Sequence, residues 1–166
     1  MHPDATATRS HGEPGARVPP GFEVIAQRGA GLADRLAAGF ADVADTAIVI
    51  ASDTPQVDAP SLGLALRSLT TDSPHVIGPA ADGRYRLLGL SPHVDPTAVF
   101  EGIPMSTNET YRAQLGRLDQ LGIAPPVLHE LRDTDTIADV IAVSMAYPRT
   151  HLAHLAMGVP ALRPVP

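Results

Sequence analysis

Two acidic stretches carry the groups best suited to chemistry. Asp53 stands in the loop Ser52-Asp53-Thr54-Pro55, directly after the apolar run TAIVIA at 46–51, and Asp133 and Asp135 stand in RDTDT at 132–136. A carboxylate just past an apolar strand can hold a divalent cation, which in turn neutralises phosphate oxygens. Magnesium takes octahedral oxygen coordination from one or two carboxylates plus substrate phosphates, and two acidic loops converging from separate strands could supply that set. Each aspartate also has a plain structural use. Asp53 suits a turn, and Asp135 suits the N-terminus of a helix opened by Thr136 and Asp139. A third segment, GPAADGRYRLLGL at 78–90, offers Gly78 and Gly83 for close backbone approach to a ligand and Arg84 and Arg86 for phosphate contact. An ordinary hairpin turn uses the same glycines. Ser106, Thr107 and Asn108 could donate hydrogen bonds to a sugar or phosphate, although Ser106 and Glu109 also form a capping-box pattern.

Composition removes several other chemistries. The 166 residues contain no cysteine, so disulfides, thiolate nucleophiles and cysteine metal sites are excluded. All 12 basic residues are arginine. Without lysine there is no Schiff-base enzyme and no Walker A loop. No G-x-S-x-G elbow occurs. Of the seven histidines, only His151 and His154 have metal-ligand spacing, and they lack the third ligand that zinc needs. The formal charge of −6 argues against a nucleic-acid partner. No apolar run approaches the ~18 residues of a membrane span. The first residues lack the apolar core of a signal peptide, so the expected location is cytoplasmic and no membrane partner is expected.

The elements that must position these groups follow from periodicity. Residues 1–20 read as a flexible lead, 21–158 as one α/β domain and 159–166 as a tail. Strands are expected at 22–27, 46–51, 75–78, 85–90 and 126–131. The run at 46–51 is continuous and β-branched, which suits an interior parallel strand covered on both faces. Helices are expected over about 31–43, from Asp58 with Leu62, Leu66 and Leu69 on one face, and from Ser106 with Tyr111, Leu115 and Leu118 aligned as far as Gly122. A further helix starts at Thr136 and carries Ile137, Val140, Ile141 and Met145, and a weaker one covers 150–157. Alternating strands and helices indicate an α/β fold with a mainly parallel sheet flanked by helices. In such sheets ligands sit outside the carboxyl ends of the strands, where both acidic loops fall.

The ordered motifs SDTP, GPAADG-R-Y-x-L-x-GL, F-x-G-I-P-x-ST and LRDTDT-x-x-D resemble the bacterial DUF2064 family of glycosyltransferase-A-like proteins, relatives of molybdenum-cofactor and phospholactate guanylyltransferases. The resemblance runs from Gly21 to Met145. It implies a nucleotide-diphospho-sugar transferase (GT-A) fold and glycosyl or nucleotidyl transfer from a nucleotide-sugar or nucleoside triphosphate donor. The implied cofactor is Mg²⁺ or Mn²⁺, held by Asp53, Asp133 and Asp135. It further implies that Asp82 and Tyr85 line the acceptor side, with Asp82 the candidate for orienting or deprotonating an acceptor hydroxyl. Ser52, Thr54, Gly78, Gly83, Arg84, Tyr85, Ser106 and Thr107 are the substrate-binding candidates. Two departures stand out. Arg84 follows Gly83 where the family usually has a second glycine, and no match to the family's first strand and basic K-x-P-x-P-G-x-V-K-T-R-L loop is present. The expected fold therefore lacks its usual first strand, leaving the 46–51 strand with an apolar edge. Weak activity for the short chain is one expectation. A non-catalytic remnant that pairs through that edge, as a homodimer or with a protein partner, is the other.

Overall fold

β-branched runs and capped amphipathic segments alternate along the chain. A computed structural model, which describes residues 5–9, 21–70 and 72–159, turns them into five strands and six helices among those residues. In order these are β1 (Ala5–Arg9), β2 (Phe22–Ala26), α1 (Leu32–Val43), β3 (Ala47–Ile50), α2 (Ala59–Ser68), β4 (His75–Pro79) and β5 (Tyr85–Leu90). Then follow α3 (Pro96–Phe100), α4 (Thr110–Gln120), α5 (Ile137–Ala146) and α6 (His151–Gly158). Helix starts follow local chemistry. The Asp58 carboxylate accepts from the Ser61 N–H at 2.9 Å, with proline in the first turn of α2, and Thr136 and Asp139 cap α5 reciprocally.

β4 and β5 are joined by a short turn at 80–84, which forces antiparallel pairing. β3 pairs antiparallel with the other side of β5, giving the order β3-β5-β4. β3 and β4 therefore run in the same direction. Beyond β4 the chain returns at 126–131 as two parallel bridges, Ile77 with Val127 and Ala80 with Leu131. The Leu128 N–H donates to the Ile77 carbonyl at 2.8 Å, and the Ala81 N–H to that of Leu131 at 2.9 Å.

Both faces of β4 and β5 are covered. One face holds Ile77, Leu88 and Leu90 against Ala37 of α1, Val99 and Phe100 of α3 and Leu118 of α4. Phe40 stacks on Phe100 with ring centroids 5.9 Å apart. The other face holds Val76 and Leu87 against Ala65, Leu62 and Leu69 of the α2 segment. Burying each large aliphatic side chain contributes about 1.5–3 kcal/mol, so these two clusters anchor the hairpin.

Several expectations need correction. The sheet is mixed rather than mainly parallel, because the hairpin sets β5 against both neighbours. β3 is a half-buried edge among the described residues rather than an interior strand, and Ile50 is 48% exposed. Ala5–Arg9, inside the span expected to be a loose lead, is a strand paired in parallel with β2, consistent with its β-branched threonines. The other residues of 1–20 and the tail from 160 onward lie outside the described residues. The 126–131 stretch makes bridges rather than a full strand. Ser106 does not cap α4. It adopts φ 61, the helix opens after Glu109, and the Thr107 N–H donates instead to the Thr110 hydroxyl at 3.0 Å. Leu66, Ile137 and Met145 face solvent, while Ala65 and Val143 take the inward positions of their helices.

Candidate functional site

Strand direction explains why distant acidic segments meet. β3, β4 and the 126–131 stretch all run the same way, so their carboxyl ends emerge at one rim of the sheet. The chain then delivers Asp53 after β3, Asp82 after β4 and Asp133 after Leu131. Backbone bonds lock the loops together. The Thr134 N–H and hydroxyl both donate to the Asp53 carbonyl, each at 2.9 Å. The Gln56 side-chain amide, buried between them, donates to the Arg132 carbonyl.

The carboxylates that converge are those of Asp82, Asp133 and Asp135, whose oxygens lie within 4.8 Å of one another. Asp53 is not a member of this group: its backbone, rather than its carboxylate, is what meets the second acidic loop. Asp82, expected on the acceptor side, belongs instead to the acidic cluster. It also shapes its own turn, accepting from the Arg84 N–H at 2.9 Å. Gly83 has φ +86, and a Cβ there would overlap the Asn108 carbonyl. The Tyr111 N–H donates to the Gly83 carbonyl at 3.0 Å. Glycine is therefore required by the docking of this turn onto the start of α4.

Arg84 organises the site. Its guanidinium pairs with Asp82, lies 3.3 Å from Asp133 and 2.8 Å from Asp135, and remains about a third exposed (33%). The hydrogen bond to Asp82, then the Asp82 and Asp135 charges and the bond to Asp133, hold the Arg84 pKa above its ordinary value against the lowering effect of burial. Asp133 is the buried member. Burial, then the Asp82 and Asp135 charges, push its pKa up against a bond from its own backbone N–H and, more weakly, the bond from Arg84.

The other candidates divide by exposure. Ser52, Ser106 and Thr107 are exposed, and Asn108 brings the 106–108 segment against Gly83. Thr54 is buried, so its hydroxyl is not presented to a ligand. Gly78 is buried too. A Cβ there would press on the Arg86 guanidinium at 3.2 Å, so this glycine makes room for a side chain rather than for substrate. Tyr85 turns its hydroxyl to the Met105 sulfur at 3.8 Å, and burial drives its pKa upward, so it stays neutral. Arg86 is buried and donates to the His129 carbonyl at 3.1 Å, which removes it from phosphate contact. Sequence reading passed over Thr134 and Gln56, the tethers between the loops. Nothing in the spacing marks them, since their bonds span 81 and 76 residues.

The donor set suits a hard divalent cation in kind and spacing, since carboxylate oxygens from two segments converge. The guanidinium already stands among them.

This α/β fold matches the architecture of a solved structure described as a "putative nucleotide-diphospho-sugar transferase" from Desulfovibrio desulfuricans G20. The TM-score is 0.78 and the sequence identity 24%, over 86% of this chain and 65% of that one. The chain thus spans about two thirds of that protein's length. The family model for DUF2064, "Uncharacterized protein conserved in bacteria", matches residues 2–107, and the chain belongs to that family. The matched span starts upstream of Gly21, where the motifs open, and stops before Asp133. No curated protein matches the chain. No helix among the described residues is long and apolar enough to cross a membrane.

Proposed function

We propose that this chain is a GT-A-type transferase domain that acts on a nucleotide-activated donor, a nucleoside diphosphate-sugar or nucleoside triphosphate, together with Mg²⁺ or Mn²⁺. The observation that carries this reading is the convergence of Asp82, Asp133 and Asp135 at the carboxyl-end rim of the sheet. Those three residues would hold the cation in place of the set of Asp53, Asp133 and Asp135 expected from sequence. When bound, the cation supplies charge neutralisation at the departing phosphate.

The chain's own residues do the rest by positioning. Thr134 and Gln56 fix the 52–56 loop to the 132–135 loop, so the carboxylates are held before any ligand arrives. The exposed face of Arg84 can exchange a carboxylate for a phosphate oxygen, an acceptor of equal charge and suitable geometry. Asp82, engaged by Arg84, acts as a ligand rather than as the base for an acceptor hydroxyl. The exposed Ser52 can offer its hydroxyl to sugar or phosphate oxygens, whereas the Thr107 hydroxyl is engaged by the Pro104 carbonyl and the Glu109 N–H.

Thermal unfolding across a panel of nucleoside triphosphates and nucleotide sugars, with and without Mg²⁺, tests the reading. A ligand at about 100 times its Kd adds about 2.7 kcal/mol, so at least one nucleotide should raise the Tm by several degrees, and only with the cation present. A flat response to every nucleotide under both conditions would contradict it.

A second reading rests on β3. Among the described residues it pairs only with β5, and its other edge carries half-exposed Ile50. A second copy could add a strand there, making the chain a non-catalytic dimerisation module. Light scattering that finds a monomer at all concentrations would exclude this reading.

A further inference from the structure

The three carboxylates that could hold a metal already share one cation, the Arg84 guanidinium. Three carboxylates within 4.8 Å repel one another, and Asp133 is withdrawn from water. In this chain one guanidinium contacts all three. Its rigid planar fork sets Nε on Asp82 and Nη2 between Asp133 and Asp135. The turn that carries it is fixed by the Arg84 N–H bond to Asp82 and by the Gly83 contacts with α4, so the cation is built into the backbone that presents the first carboxylate.

We infer that Arg84 is the resident cation of the acidic cluster, and that it excludes free divalent ions from Asp82, Asp133 and Asp135 until an anionic donor draws it away. The inference rests on the proposed function for the use of the cluster, and it adds a specificity-determining residue at the position where the resembled motif has a second glycine. Arg84 moves from the carboxylates to the donor phosphates, and the divalent ion enters with the donor rather than ahead of it. No covalent step is involved: one ion pair is exchanged for another.

Mn²⁺ alone, followed through the electron paramagnetic resonance signal of the free ion, reports binding without any activity. The full 166-residue chain is compared with Arg84→Gln and Arg84→Gly, each checked for folding by circular dichroism. Removing one unit charge at contact distance, screened nearly as in water, should tighten Mn²⁺ binding about tenfold or more. Adding Asp133→Asn to Arg84→Gln should abolish that gain, and Mn²⁺ should raise the Tm of Arg84→Gln but not that of the wild type. Wild-type binding as tight as that of the variants would overturn the role of Arg84 while leaving the cluster a metal site. Absence of Mn²⁺ binding in folded variants would overturn both the inference and the cation-binding reading beneath it.

Discussion

The β4–β5 hairpin places polar groups at both ends, in opposite surroundings. At the turn end the single Arg84 guanidinium partly offsets the charge of Asp82, Asp133 and Asp135 at a partly hydrated rim. At the open end His75 opens β4 opposite Leu90, fully buried, and neither ring nitrogen has a hydrogen-bond partner among the described residues. Burial alone pushes its pKa down to about 4, so it is neutral in the fold. The difference teaches which end presents ionised groups to a ligand and which is closed. Asp82, Arg84 and Asp135 stay within reach of water, whereas Arg86, farther along β5, is buried and bonds to the His129 carbonyl. The buried imidazole belongs to packing, and its cost shows only as a dependence on pH.

The largest effect expected from breaking this contrast is at the turn. Gly83→Ala puts a side chain at positive φ and against the Asn108 backbone, so urea unfolding should show a loss of about 3 kcal/mol or more. An unchanged midpoint would mean that the turn is not docked on α4.

Next comes the open end. Unfolded histidine binds a proton below its ordinary value of 6.5, whereas His75 in the fold does so only near 4. Stability should therefore fall as pH drops through that window, with a limiting slope of about 1.4 kcal/mol per pH unit. His75→Leu should remove that fall and leave the opposite, smaller contribution of Asp133, whose raised pKa favours the fold as pH drops. The capping carboxylates Asp58 and Asp139, whose pKa values are lowered by hydrogen bonds, lose their contribution only at more acidic pH and leave this window unaffected. The smallest effect is at the β3 edge. Ile50→Thr should change stability by less than about 0.5 kcal/mol, because that side chain is already half in solvent. A large loss there would show that the edge is covered.

Much of this was legible from residue types. The Asp58 and Thr136 caps, the helix stop at Gly122 and the span of β5 all rest on short-range chemistry, which spacing displays. The mixed sheet was not legible. The run AIVI looks the same in an interior strand as in an edge strand, and strand direction depends on what pairs across β5. The site was half legible. Asp133 and Asp135 were expected to share a cation site, and their convergence is seen, but their partner is Asp82 rather than Asp53. Choosing between those two requires knowing which side chain turns inward at the rim. Only the packing of Gly83 on α4 and the Thr134 bonds to the Asp53 carbonyl decide that.

A double-mutant cycle tests most directly whether Arg84 and the second acidic loop form one electrostatic unit. Arg84→Ala is combined with Asp133→Ala in one cycle and with Asp53→Ala in the other, and stability is read by urea unfolding. The expected result is a favourable coupling of about 1 kcal/mol between Arg84 and Asp133 and none between Arg84 and Asp53. Zero coupling in the first cycle, or equal coupling in both, would contradict the assembled site.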